Sequence, residues 1–209
     1  MNTMEYLDHL LLKYSNTFDI YMPYVIKGRE YPAYGHYFSH VERYVLMRKA
    51  NMWSTHTYEH ILFMDVPECT TEVIDEAQDI IENYMEPQLV RRGGDTPEEN
   101  HMSSYMNVII IAGKALTGDA AGRIKKYKFE KGYNFNLRGF SRGNIACVSI
   151  EDKKFVSNRY LKDKRKLYEQ VFTDMEKGRP GFKEVCERTG SAPFKQGEED
   201  MGVEFKRRR

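Results

Sequence analysis

Four of the chain's six histidines fall between residues 36 and 60, at His36, His40, His56 and His60, with Glu42 and Glu59 among them. Neutral imidazoles ligate zinc, iron, copper or nickel, and three protein ligands with one open position are the usual catalytic arrangement. These residue types point to a divalent transition metal held by His40, His56 and His60, with Glu42 or Glu59 as base, in a metal-dependent hydrolase. The competing reading is an ordinary half-exposed polar face. It is the simpler one, because no second stretch of sequence supplies a ligand.

The backbone decides the geometry. In a strand, His36, His40, Glu42 and Tyr44 project from one face, and His56, Tyr58 and His60 share a face on the next strand. A turn centred on Ala50 sets His40 opposite His60 and Tyr44 opposite His56, at cross-strand contact distance. His56-Thr57-Tyr58-Glu59-His60 also matches H-x-x-E-H, whose zinc chemistry requires a helix. Tyr58, His60, Leu62 and Met64 instead alternate with Glu59, Ile61, Phe63 and Asp65, which is a strand pattern. As a nuclease signature, Glu59-His60-Ile61 places isoleucine where a lysine would assist the acid.

Charge is the second source of chemistry. The whole chain is almost neutral, with 32 Lys+Arg against 31 Asp+Glu. Residues 123 to 166 nevertheless carry fourteen bases against four acids, and residues 65 to 99 carry eleven acids against two bases. Lys125, Lys128, Arg138 and Arg142 lie among Tyr127, Phe129, Tyr133, Phe135 and Phe140, a mixture suited to phosphates and stacked bases. The alternative is that the aromatic rings face the core while the lysines cover the solvated side of the same strands. Gly113-Lys114-Ala115 is no phosphate-binding loop, since the required glycine at 108 is Val108, and it reads as a strand-to-helix turn. No Ser/His/Asp or Cys/His arrangement nominates a nucleophile.

The elements that must position these residues follow from periodicity. Leu7, Leu10, Leu11 and Tyr14 recur at helical spacing behind Asn2 and Glu5, a helix start. Phe18, Ile20, Met22, Tyr24 and Ile26 alternate as a half-buried strand. Two longer strands, about 34 to 48 and 52 to 66, form an antiparallel hairpin. Thr70 or Thr71 opens a helix carrying Val73, Ala77, Ile80, Ile81 and Tyr84, which Pro87 ends or kinks. The unbroken apolar run of 105–112 fits a strand buried on both faces. A short helix over 117–126, strands at about 128–137, 144–150 and 155–157, and a helix from Leu161 to Met175 complete the order. This is a single α+β domain over 1–188, a mixed and mostly antiparallel sheet flanked by helices. The first six elements follow the order of the restriction-endonuclease-like core. Residues 189–209 read as a charged, disordered tail.

Met106-Asn107-Val108-Ile109-Ile110-Ile111, Tyr127-Lys128-Phe129, the stretch Gly132 to Phe140 and Phe155-Val156-Ser157-Asn158 together resemble a family of bacterial proteins from anaerobes that has no assigned activity. The resemblance covers residues 4 to 175. It implies a fold and transfers no catalytic residue.

Composition sets the outer bounds. The chain has 209 residues, 41% hydrophobic and 30% charged, enough to bury a core without disulfides or metals. The longest aliphatic run, 108–112, is far short of the roughly 20 residues a bilayer span requires. Cys69, Cys147 and Cys186 form no C-x-x-C pair, and the first residues lack a secretory pattern, so a cytoplasmic location is expected. Two readings stay open: a non-catalytic binding or accessory protein whose basic face meets an anionic protein or nucleic acid, and the metal-dependent hydrolase.

Overall fold

A computed structural model describes residues 1–43, 53–190 and 195–197. Its first helix, α1 (Thr3–Ser15), opens on a capping box. The Asn2 side chain accepts from the Glu5 amide at 2.8 Å, and the Glu5 carboxylate accepts from the Asn2 amide at 2.9 Å. Its apolar stripe of Tyr6, Leu7, Leu10, Leu11 and Tyr14 is buried.

The strands β1 (Asp19–Ile26), β2 (Arg29–Tyr31), β3 (Ala33–Arg43) and β4 (Trp53–Val66) come next. The alternation expected along β1 slips by one residue across Met22 and Pro23, so Ile20 faces one core while Tyr24 and Ile26 face the other. Proline has no amide hydrogen to give to the ladder, and a strand tolerates the slip there. The turn expected between β3 and β4 lies outside the described residues.

Helix α2 (Thr71–Ile80), with Thr70 accepting from the Val73 amide, continues without a break as a π-helix over Ile81–Val90. Pro87 therefore does not end the helix. It sits inside the wider π turns, where Arg91 donates to the Glu86 carbonyl five residues back. Strand β5 (His101–Ala112) follows, then α3 (Gly118–Lys126), β6 (Phe129–Gly132), β7 (Phe140–Ser149), β8 (Lys154–Ser157), a 3-10 segment (Arg159–Lys164), α4 (Arg165–Glu176) and α5 (Phe182–Thr189). The strand expected to run to Leu137 stops at Gly132. Asn134, Phe135 and Asn136 turn through left-handed backbone instead, leaving Phe135 98% exposed. Within 189–209, Lys195–Gly197 forms β9 alongside β1, and 191–194 and 198–209 lie outside the described residues. No described helix is long and apolar enough to cross a membrane.

The nine strands among the described residues join one sheet in the order β2-β1-β3-β4-β5-β7-β6, with β8 on β7 and β9 on β1. The pairs β4–β5, β5–β7 and β1–β9 are parallel and the others antiparallel. Helix α1, the antiparallel β1-β3-β4, α2 and the parallel β5 reproduce the order expected of the first six elements. Strand β5 is central and buried on both faces, with Val108 to Ala112 fully inaccessible. One face packs under α2, the π-helix and α3, and the other under α1, α4 and α5. Tyr6 and Tyr14 bond to the Tyr168 carbonyl and hydroxyl, and buried Asp174 accepts from Lys13 at 2.5 Å and Arg179 at 2.8 Å, locking α1 to α4.

Gly139 precedes β7 at φ +70°, and a Cβ there would lie 2.1 Å from the Met102 carbonyl oxygen. Gly139→Ala is expected to lower unfolding stability by at least about 2 kcal/mol, from left-handed strain plus the clash, as read by urea denaturation. A change within about 0.5 kcal/mol would show that the β5–β7 approach is looser than described.

Candidate functional site

The side-chain period of the central strands gathers the histidines. Opposed residues of β3 and β4 share a face, and the register pairs His36 with His60 and His40 with His56. The face expected from the sequence is right, while the pairing is displaced: His40 meets His56 and not His60, and Tyr44 lies outside the described residues. An even displacement keeps each side chain on its face, which is why the histidines still converge. The rings of His36 and His60 lie 5.2 Å apart, and those of His40 and His56 5.1 Å. A register shift between His56 and Thr57 brings His101 of β5 opposite His56, and the His101 ring lies 6.3 Å from that of Tyr58. His36, His56, His60 and His101 are buried, whereas His40 is exposed.

Hydrogen bonds assign tautomers within this cluster. His101 Nδ1 faces the Arg138 carbonyl at 2.8 Å, so it donates, and the neutral ring accepts the Ser104 hydroxyl at Nε2, also at 2.8 Å. Burial holds His101 below the ordinary histidine range, outweighing the help of that carbonyl. His60 is held well below it by burial first, and then by the unfavourable electrostatics of a second positive charge beside His36, Arg92 and His101. The Tyr34 hydroxyl lies 2.6 Å from His60 Nδ1.

The segment 91–100 folds over this end of the sheet. Glu98 accepts from Tyr58 at 2.5 Å, from His56 Nδ1, and pairs with Arg92 at 3.6 Å. Burial alone would raise the Glu98 carboxyl, but these three partners bring it below its ordinary value. Beside it, buried Glu86 of the π-helix takes Arg91 at 2.7 Å, Lys131 at 3.0 Å and Tyr133 at 2.9 Å.

Metal chemistry at His40, His56 and His60 requires three converging ligands. The paired rings instead contact each other in twos, and among the described residues no group of three or more His, Cys, Asp or Glu side chains is placed to hold a metal ion. Glu59 does not serve as their base. Strand alternation puts it on the opposite face, where Asn107 donates to it at 2.9 Å, Asn144 donates to Asn107 at 2.8 Å, and burial raises its carboxyl. The side chain of Glu42 lies outside the description. After β5, the amides of Gly113, Lys114 and Ala115 are taken by Val66, Pro67 and Glu151, the plain turn that the sequence indicates.

The basic residues differ in how they are engaged. Lys125 and Lys128 are exposed at the corner between α3 and β6. Arg138 pairs with Glu99 at 3.7 Å. Arg142 pairs with Glu130 at 3.2 Å and stacks 3.9 Å from the Tyr160 ring. Acids of 65–99 meet bases of 123–166 at Asp75–Arg123, Glu86–Lys131 and Glu99–Arg138, so the two charged blocks partly neutralise each other. Tyr133 is buried, and Tyr127 and Phe129 pack on the core under α2, whereas Phe135 is almost wholly exposed. Sequence reasoning missed His101, Glu98 and Arg92 as parts of the cluster. Their positions come from a bulge and a loop, and neither carries a periodic signal.

The family model for a domain of unknown function (DUF8052) matches residues 2–170. The chain belongs to the DUF8052 family. No curated protein and no solved structure matches it. The DUF8052 match contains the whole histidine cluster and ends inside α4.

Because burial holds His60 and His101 below the ordinary histidine value of about 6.5, the fold takes up protons on them less readily than the unfolded chain does as pH falls below it. Their contribution is fully present above that pH and is lost on acidification, at about 1.4 kcal/mol per pH unit for each proton taken up. Urea unfolding between about pH 6.5 and 4.5 should show this loss before the carboxylates titrate. His60→Gln should flatten the slope, and an equally steep slope in that variant would place the titration elsewhere.

Proposed function

We propose that this DUF8052 protein is a non-catalytic binding or accessory protein that meets an anionic partner at the α3–β6 corner. One observation carries the reading. Arg123 and Lys131, which flank the corner, are committed to Asp75 and Glu86, whereas Lys125, Lys126 and Lys128 are exposed and have no acidic partner among the described residues. Exposed charges contribute little to the folded core and gain from a partner's field, so their cost is small and their use is in association. Arg138 and Arg142, each tied to an acid, add less than the sequence alone implies. A hydrolase would rest on His56 held by Glu98, with no described trio of ligand side chains beside them.

Duplex DNA and polyglutamate are the probes, one standing for nucleic acid and the other for acidic protein. Lys125→Glu with Lys128→Glu should leave circular dichroism and Tm unchanged and weaken binding at least tenfold. On DNA it should reduce the slope of log affinity against log salt by about two. Salt-insensitive binding, or binding unchanged in the folded double variant, would overturn the proposal. Binding to only one of the two probes identifies the partner class.

A further inference from the structure

At the histidine end, His60 holds a buried ring nitrogen with no hydrogen-bond partner among the described residues. The Tyr34 hydroxyl, deep in the core, has His60 Nδ1 as its hydrogen-bond partner at 2.6 Å. Burial keeps that phenol protonated, so it donates to Nδ1. The neutral imidazole then carries its own hydrogen on Nε2, which is buried and has no acceptor among the described residues. The opposite tautomer is worse, because it leaves both the phenol hydrogen and the Nε2 lone pair unmatched. A buried donor without an acceptor costs about 1–3 kcal/mol, and natural folds seldom leave one without a reason.

Orientation gives that donor a destination. Tyr34 stands opposite Leu62 on the core side of His60, so its bond holds Nδ1 on that side, and the rings of His36 and Tyr58 are the further neighbours of the imidazole. The His36 ring centroid lies 5.2 Å from that of His60, and the Tyr58 ring stacks parallel to it at 6.4 Å. The Arg92 guanidinium sits 5.9 Å above the Tyr58 ring and is half-exposed, within reach of solvent. Glu98, the acid of this region, is already engaged by Tyr58, His56 and Arg92. An unmet N–H donor near the half-exposed Arg92 guanidinium suits an acceptor that bears negative charge.

We propose that His60 Nε2–H and the Arg92 guanidinium form a binding site for a small oxyanion, a carboxylate or phosphate group, between the 91–100 segment and the sheet. This site is separate from the lysine corner, and its ligand is a small molecule or a single group. His60 is the interior hydrogen-bond donor, and Arg92 supplies charge at the solvent side.

The test uses the full chain, labelled with nitrogen-15, at neutral pH. Inorganic phosphate and acetate are titrated separately against chloride at matched ionic strength, with Tm, calorimetry and the histidine nitrogen–proton spectrum as readouts. Saturable binding of either anion, with a rising Tm and a shifted His60 Nε2 signal, is expected. Arg92→Gln should weaken it at least threefold and His60→Phe at least tenfold. His60 is buried, so Arg92→Gln decides the matter if His60→Phe does not fold. Absence of saturable binding of both anions, or equal binding in the folded Arg92→Gln protein, would overturn the site and leave a water molecule as the partner of Nε2. Lys125→Glu with Lys128→Glu should not change phosphate binding, so the two proposals fail independently.

Discussion

Strand β4 is paired along its length on both sides, antiparallel to β3 and parallel to β5, and that double pairing fixes which side chains reach each face. From Ile61 to Met64 the alternation feeds two apolar cores, with Ile61 and Phe63 under α1 and Leu62 and Met64 under α2. From His56 to Tyr58 and His60 the same period presents polar rings on the α2 face and Glu59 on the other. One strand thus divides the molecule both across its thickness and along its length. Burying the apolar half contributes about 25 cal/mol per Å² of area removed from water, and the polar half takes its position from that contribution. A slip of one residue would send every histidine into the α1 core, so the register is enforced by packing distant from the histidines themselves.

Electrostatics adds a second constraint. The acidic helix α2 and its π continuation lie over the sheet beside α3 and β6, and their carboxylates meet arginines and lysines that are distant in sequence. Exposed pairs of this kind are worth little individually. Glu86 differs, because it is buried and receives Arg91, Lys131 and Tyr133 together. Removing both Arg91 and Lys131 would leave its charge unmatched, at about 3–5 kcal/mol. The acidic block therefore neutralises Arg123, Lys131 and Arg138, while Lys125, Lys126 and Lys128 stay exposed at the α3–β6 corner and Arg159, Lys162, Lys164 and Lys166 stay exposed on the 3-10 segment and the start of α4.

Much of this was legible in the sequence. The helical spacing of Leu7, Leu10 and Leu11 gives α1, the apolar run at Val108 to Ala112 gives the central strand, and the two-residue period of Tyr58, His60 and Leu62 gives the histidine face. Each is a local pattern with a physical cause inside the element. The register of β3 on β4 was not legible, because it is set by how many residues the connection spends on turning, and periodicity is blind to a shift of two or four. Pro87 predicts a break only for a helix with i to i−4 bonds, and the chain avoids the conflict by widening to π turns. Helix α5 was missed since Phe182 and Cys186 form too short a stripe to stand out. Glu98 and Arg92 reach the cluster from a loop, where contact with the sheet depends on tertiary folding alone.

The end of the sheet on which the polar groups gather bears on what fold analogy can supply. In doubly wound α/β proteins ligands sit beyond the carboxyl ends of parallel strands. Here those ends belong to β4, β5 and β7, and they are closed. Gly113 donates to the Val66 carbonyl and packs so tightly that an added Cβ would sit 3.1 Å from the Pro67 oxygen, while Ile150 donates to Ala112. The histidines, Glu98 and Arg92 lie at the amino ends of β4 and β5, as does Glu59 on the reverse face. The antiparallel β3 makes this possible, because its carboxyl end runs beside the amino end of β4 and brings His36 and His40 there. The mixed polarity of the sheet, which sets it apart from a wholly parallel one, is thus the feature that assembles the cluster, and the rule for parallel sheets does not transfer to it.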